Sequence, residues 1–151
     1  MLKQFASLLA CLIFPIMVSA APFSFIDTHG RTHALESYQG KWVLVNLWAT
    51  WCTPCLAEMP ELQALSKSRK DLVVLGLAVD GQSATRVTQL TEKLGVTYPI
   101  IAGNADMAQQ FSPKGYPTSI LYDASGKQVL VKEGPMTRQE IEDILNRRST
   151  K

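Results

Sequence analysis

The sequence has few of the residues on which metal sites and disulfide-rich folds depend. It contains three cysteines and two histidines among 151 residues. Its formal net charge is only +2, without a basic stripe, an acidic tail or a block of like charges, so charge suggests no nucleic-acid partner. Internal repeats and low-complexity linkers are also lacking. A chain of this length can form one domain with a substantial core but is short for two.

The first twenty residues differ in pattern from the rest. Lys3 precedes an apolar run over 5–18, and small residues follow at Ser19 and Ala20, where a signal peptidase would cut. This order of charge, apolar run and small residues predicts a signal peptide over 1–20 and a domain over 21–151.

Two other interpretations of this segment stay open. The absence of charge between Lys3 and Asp27 would suit an uncleaved membrane anchor, and Cys11 follows a loose lipobox pattern. All three interpretations place the domain outside the cytoplasm, in the periplasm or an equivalent bacterial compartment. Cleavage would leave Cys52 and Cys55 as the remaining cysteines, in a compartment that favours disulfides.

Alternating strand and helix patterns predict an α/β fold. Trp42–Trp48 and 72–79 are apolar and rich in β-branched residues, as buried central strands are. Helical spacing of apolar residues marks 53–69, with a kink expected at Pro60. Further strands are expected at 23–26, 34–35, 98–101, 118–122 and 128–132, and further helices over 83–94, over 105–111 and from Thr137. The prediction is a mixed central sheet with helices on both faces.

The most informative motif is Cys52-Thr53-Pro54-Cys55, at the junction of a buried strand and a helix. Cysteines three apart on a first helical turn can form a disulfide. Cys52 falls at the helix start, where free N–H groups lower a thiol pKa from about 8.5 to roughly 3.5–7.5. Cys55, one turn further in, is expected to be covered and to resolve a mixed disulfide. Pro54 is tolerated because an early N–H is unpaired anyway.

Other uses of the two cysteines fit less well. A structural disulfide closing so small a ring would stabilise the fold by only about 2 kcal/mol. Zinc needs four ligands, and only His29 and His33 could join the cysteines; we expect both histidines to be solvated. Copper(I) would suit two thiolates, although no methionine cluster accompanies them. We expect no metal and no organic cofactor, only a redox-active disulfide.

Residues 45–60 resemble the active-site segment of the TlpA/ResA branch of the thioredoxin superfamily. Residues 115–118 match that family's cis-proline loop, 123–127 match its closing hairpin, and 80–102 correspond to its characteristic insertion. The resemblance covers essentially all of 21–151. It implies a thioredoxin fold and a thiol–disulfide oxidoreductase that reduces disulfides of exported proteins, often in cytochrome c maturation.

The resemblance also implies roles for residues around the cysteines. Trp51 would shield the site and offer a stacking surface, with Thr53 and Pro54 beside it. Tyr116 and Pro117 would form the cis-proline loop, which leaves backbone groups free to pair with an extended substrate segment.

A departure from plain thioredoxin concerns the proton acceptor. Asn46 stands where thioredoxin has a buried carboxylate, so another acid is needed. Glu58 and Asp80 are the candidates. Glu58 could equally be structural, and Asp80 a turn former.

The expected partners follow from the same resemblance. They are disulfide-containing exported proteins and, as electron donor, a membrane thiol–disulfide reductase; a monomer is expected. The alternatives are a disulfide oxidase or isomerase, and a copper metallochaperone that uses the same cysteines. The sequence names no client and does not fix the direction of electron flow.

Overall fold

The structure is a computed structural model that describes residues 23–149. It contains seven strands, four helices and one 3₁₀ turn within that range. The elements in chain order are β1 (Ser24–Ile26), β2 (Thr32–Ala34), the 3₁₀ turn (Leu35–Tyr38), β3 (Trp42–Trp48), α1 (Thr53–Ser68), β4 (Leu72–Ala78), α2 (Ala84–Lys93), β5 (Ile100–Ala102), α3 (Ala105–Gln109), β6 (Thr118–Tyr122), β7 (Gln128–Glu133) and α4 (Arg138–Ser149).

The central sheet has five strands in the order β5-β4-β3-β6-β7. β3 pairs in parallel with β4 and antiparallel with β6, while β4 pairs in parallel with β5. β7 lies antiparallel to β6 at the far edge, and β1 and β2 form a separate hairpin. The mixed sheet predicted from the sequence is confirmed. The segment 80–102, the insertion that the resemblance implies, contains α2 and β5.

The core lies on both faces of β3, whose seven residues are all buried. Successive side chains of a strand point to opposite faces. On one face, Asn46 and Ser119 point toward α1, because both take part in contacts around Glu58. On the other face, Tyr122 meets the ring of Phe23 in a cluster of aromatic side chains. A strand enclosed on both sides explains why this stretch is almost wholly apolar.

Three helix boundaries confirm predictions from capping residues. Ser83 precedes α2, and its hydroxyl accepts the N–H of Arg86. Gly95 follows that helix with a φ of +68°, a conformation that glycine adopts without strain. Before α4, the Thr137 hydroxyl accepts the N–H of Glu140 while the Glu140 carboxylate accepts the N–H of Thr137. This is the reciprocal capping box expected there.

Two predicted strands have different boundaries in the structure. β5 begins at Ile100 rather than residue 98, because the N–H of Tyr98 donates to the Gln63 side chain instead of a neighbouring strand. The return strand of the first hairpin ends at Ala34, where the 3₁₀ turn begins. α1 continues through Pro60, and the kink there stays a prediction.

The expectation that both histidines are solvated is wrong for His33. His29 is exposed, but His33 is buried and contacts the carboxylate of Asp27 and the hydroxyl of Tyr38. Its place in β2 turns it inward opposite Phe25. Burial acts to raise the pKa of Asp27, but hydrogen bonds from Arg31, His33 and His29 outweigh burial and hold it well below its usual value.

The predicted signal peptide over 1–20, with its open alternatives at the N-terminus, lies outside the described residues. Within residues 23–149, no helix has the length and apolar character needed to cross a bilayer.

Candidate active site

Cys52 and Cys55 form a disulfide at the start of α1, with their Cα atoms 5.3 Å apart. Cys52 is the N-cap residue, and its Sγ accepts the N–H of Cys55 at 3.3 Å. Cys52 retains 4% exposure while Cys55 is fully buried. Thr53 and Pro54 occupy the exposed first turn between them. The helix start therefore directs a backbone N–H group at the sulfur nearer the surface.

The loop before the disulfide is fixed by Asp80. β3 and β4 are parallel, so their carboxyl ends meet at the same edge of the sheet. There one Asp80 carboxylate oxygen accepts the N–H of Thr50 at 3.1 Å and its hydroxyl at 2.6 Å. Asp80 therefore ties the chain two residues before Cys52 to the end of β4.

Glu58 lies on the inner face of α1, only 5% exposed. Its carboxylate accepts the Asn46 side-chain N–H at 2.7 Å and the backbone N–H of Met136 at 2.9 Å. Burial raises the pKa of Glu58, and these hydrogen bonds together with the charge of Lys132 offset that rise only in part. The protein thus contains a buried carboxyl group one turn beyond Cys55 that holds its proton more tightly than an exposed glutamate.

The Tyr116–Pro117 peptide bond is cis, as the resemblance implies. The loop is held by the Pro117 carbonyl, which accepts the N–H of Gly134. The rings of Tyr116 and Trp51 meet edge to face with centroids 6.5 Å apart, which brings this loop beside the disulfide. Trp51 is 68% exposed, so its indole stands out into solvent.

A shallow apolar groove adjoins the disulfide. It has a volume of 280 Å³ and is lined mainly by Pro54, Ala57, Pro135 and Met136, with Glu58 at one side. Among residues 23–149, no group of three or more histidine, cysteine, aspartate or glutamate side chains is arranged to hold a metal ion.

The predicted site residues fall into two groups in the structure. The disulfide, Trp51 and the Pro117 loop come together, and Glu58 lies beneath them on the same helix. Asp80 contacts Thr50 instead, in the loop that precedes the disulfide.

Sequence reasoning missed the groups that hold Glu58. The N–H of Met136 gave no signal because any residue could supply it. Ser119, whose hydroxyl accepts from the Asn46 side chain at 3.2 Å, lies within a predicted strand, where the sequence did not distinguish it from its neighbours. Asn46 itself, a polar residue within an apolar strand, was the available signal that a buried partner exists.

A disulfide at the start of a helix, beside a cis-proline loop and on a mixed sheet, defines a class of protein. These features belong to the thiol–disulfide oxidoreductases of the thioredoxin fold.

Comparisons with known proteins narrow that class. The model of the AhpC/TSA family matches residues 16–130. Thiol-disulfide oxidoreductase ResA of Geobacillus thermodenitrificans is 37% identical over 130 residues, which cover 84% of this chain and 75% of that protein. ResA of Bacillus subtilis is 34% identical over 131 residues, covering 85% and 73% respectively.

Solved structures agree with this result. A thiol:disulfide interchange protein from Chlorobium tepidum superposes with a TM-score of 0.75 at 28% identity, covering 85% of this chain and 93% of that one. The exposed lipoprotein thioredoxin Etrx1 of Streptococcus pneumoniae gives 0.73 at 29% identity, covering 84% and 99%. The chain belongs to the AhpC/TSA family, within its ResA-like thioredoxin branch.

Proposed function

We propose that this oxidoreductase works as a reductant of disulfides in exported client proteins, with Cys52 as the attacking thiol and Cys55 as the resolving one. The observation that carries this assignment is the position of the Cys52–Cys55 pair at the start of α1. The N-cap sulfur accepts a helix N–H group at the positive end of the helix dipole, which favours a thiolate, while the second sulfur is enclosed.

The reaction is an exchange of sulfur–sulfur bonds. The Cys52 thiolate attacks one sulfur of the client disulfide, and the other client sulfur leaves as a thiolate that takes up a proton. Cys55 then loses its proton and attacks the Cys52 sulfur, which releases the second client thiolate. Two electrons pass from the protein dithiol to the client, and Cys52–Cys55 becomes the disulfide.

Glu58 is the proposed acceptor of the Cys55 proton. It lies on the same helix one turn beyond Cys55, and burial raises its pKa toward the range suited to exchange with a thiol. Asp80 is proposed to position the loop through Thr50, since both its hydrogen bonds fix that residue.

Client recognition is proposed to combine three surfaces around the disulfide. Trp51 presents an exposed ring on one side, next to the half-buried ring of Tyr116. The backbone of the cis-Pro117 loop is proposed to pair with an extended client segment. Thr53 and Pro54 form the exposed first turn, and the apolar groove beside Pro54 can receive a client side chain.

The setting is proposed to lie outside the cytoplasm, with a membrane thiol–disulfide reductase as electron donor and the protein acting as a monomer. The apolar pattern of residues 1–20 and the relatives named ResA support it. Apocytochrome c is a client class that this setting suggests.

The reduction potential of Cys52–Cys55 tests the direction of electron flow. The purified protein is equilibrated against a dithiothreitol series and its thiols are counted after alkylation. A potential near or below about −270 mV is expected for a reductant. A value near about −120 to −180 mV would instead assign the protein to oxidation or isomerisation.

A further inference from the structure

Three buried polar atoms between the central sheet and α1 have no hydrogen-bond partner among residues 23–149. They are the Oδ1 atom of Asn46, the indole Nε1 of Trp48 and the hydroxyl of Tyr98; a fourth such atom, Asp80 Oδ1, lies apart from them beyond the end of β4. Asn46 and Trp48 are fully buried, and Tyr98 is 4% exposed. Buried polar groups are nearly always paired, so three such atoms in one layer of the core point to a partner that is not a protein atom.

Gly76 brings these residues together. It pairs with Asn46 across β3 and β4. A Cβ built on Gly76 would lie 2.7 Å from Ile100 Cδ1, 3.2 Å from Tyr98 Cε2, the ring carbon next to the one that carries the hydroxyl, and 3.3 Å from Trp48 Nε1. Because Gly76 has no side chain, both rings, together with Ile100, pack close against β4.

The Asn46 amide is oriented toward the same place. Its nitrogen donates to Ser119 on β6 and to Glu58. Because β6 and β4 flank β3 on opposite sides, the amide oxygen is turned away from β6, toward β4 and Gly76.

The three groups have complementary hydrogen-bonding chemistry. An indole N–H only donates, an amide oxygen only accepts, and a phenol does both. A water molecule can accept from Trp48, donate to Asn46 and pair with Tyr98, and buried waters typically make about three such bonds. Burial, with a smaller effect of the Glu58 charge, raises the pKa of Tyr98 far above its usual value, so the hydroxyl keeps its proton.

We propose that Asn46, Trp48 and Tyr98 bind an internal water molecule and that this water connects the Tyr98 hydroxyl to the Asn46–Glu58 hydrogen bond. Tyr98 is thereby a positioning residue for Glu58. A water that donates to the amide oxygen polarises the amide and strengthens the bond from its nitrogen to the carboxylate. Its consequence for proton exchange with Cys55 rests on the proposed function, whereas the water site does not.

The other charged groups facing Glu58 stay in place in the test. Lys132 on β7 acts on the Glu58 charge, and Glu61 lines the same groove from α1. Tyr98→Phe changes neither, and it removes one hydroxyl while the ring remains.

The first measurement is a crystal structure of the oxidised protein at a resolution that shows ordered water. A water peak within hydrogen-bond distance of Trp48 Nε1, Asn46 Oδ1 and the Tyr98 hydroxyl is expected. An empty position, or direct bonds among the three groups, would overturn the proposal.

The second measurement is the titration of the Glu58 carboxyl carbon by NMR, again in the oxidised protein, where no thiol titrates. Tyr98→Phe is expected to raise the Glu58 pKa by a few tenths of a pH unit, on the order set by hydrogen-bond cooperativity. Tyr122→Phe, a buried tyrosine on the opposite face of the sheet, is the matched control and should leave the titration unchanged. An unchanged Glu58 titration in Tyr98→Phe, or an equal shift in both variants, would overturn the connection. Neither result depends on thiol exchange, so failure here is distinguishable from failure of the proposed function.

Discussion

The two cysteines differ in their surroundings although they share one disulfide. Cys52 is the N-cap of α1 and its sulfur accepts an N–H, while Cys55 is enclosed by the core. Glu58 differs from Glu61, the exposed acid of the same helix, because its carboxylate is buried and held by two N–H donors. At the scale of single residues, burial therefore distinguishes the three residues of one helix for which attack, resolution and proton exchange are proposed.

Single-cysteine variants should separate the first two roles. Reduced Cys55→Ser is expected to form a mixed disulfide with oxidised glutathione readily, because Cys52 stays at the helix start. Reduced Cys52→Ser should react far more slowly, because the Cys55 sulfur is enclosed. Mass spectrometry of quenched samples follows the adduct. Equal rates in the two variants would remove the assignment of Cys52 as the attacking thiol.

Glu58→Gln should change how stability depends on pH. The folded protein holds the Glu58 proton to a higher pH than the unfolded chain, because burial raises its pKa above 4.5. The free energy of unfolding therefore falls as pH rises from that value through the folded pKa. The variant should lack this fall in urea titrations between about pH 4 and 8.

Glu61→Gln, an exposed change on the same helix, is the control for Glu58→Gln and should keep the fall. A Glu58→Gln profile parallel to that of the unmodified protein would contradict the assigned direction of the pKa shift.

Elements converge on the site at the carboxyl edge of β3 and β4. α1 begins beyond the end of β3, and Asp80 follows β4, so the parallel pairing of these strands brings the disulfide loop and the Asp80 carboxylate together. β6 contributes Ser119 and begins directly after Pro117. Because β6 lies antiparallel to β3, its start pairs with the end of β3, so the Pro117 loop lies at this same edge. The order of strands, rather than any single contact, assembles these groups.

Asp80 variants should distinguish positioning from proton transfer. Asp80→Ala leaves the Thr50 N–H without its acceptor and should destabilise the protein by about 1–3 kcal/mol. Asp80→Asn keeps an acceptor oxygen but cannot take a proton, so its thiol-exchange pH profile should match that of the unmodified protein. Urea unfolding and stopped-flow exchange with oxidised glutathione give the two readouts.

Asp106→Ala, an exposed change in α3, is the control for the stability measurement and should cost less than about 1 kcal/mol. An altered pH profile in Asp80→Asn would return Asp80 to the role of proton acceptor.

At the scale of the whole molecule, the redox state of one small ring is linked to the stability of the entire fold. The disulfide closes a ring between residues three apart, so it restricts the unfolded chain only slightly, by about 2 kcal/mol. The oxidised and reduced proteins differ in the free energy of folding. By thermodynamic linkage this difference sets how far folding shifts the reduction potential of the disulfide, by about 30 mV for each 1.4 kcal/mol.

The oxidised protein is accordingly expected to be more stable than the reduced protein by about 2 kcal/mol, which is the effect of the disulfide on the unfolded chain alone. Urea unfolding with and without dithiothreitol measures the difference. Greater stability of the reduced form would indicate an oxidant and would contradict the proposed direction.

Local patterns were sufficient for much of the fold and for the redox pair. The spacing of Cys52 and Cys55 on one turn, the buried character of β3 and the capping residues Ser83 and Thr137 act over a few neighbouring positions. Such short-range constraints can be evaluated without knowing which distant segments meet.

Tertiary structure alone decided which acid lies buried and which histidine is covered. Glu58 and Asp80 were both candidates in the sequence, and in the folded chain Glu58 is the buried one, where Asn46, 12 positions away, and Met136, 78 positions away, donate to it. His33 and Tyr98 owe their burial to the pairing of β2 and the packing around Gly76. Burial and pKa depend on groups that chain folding brings together from distant positions, and no local pattern records those encounters.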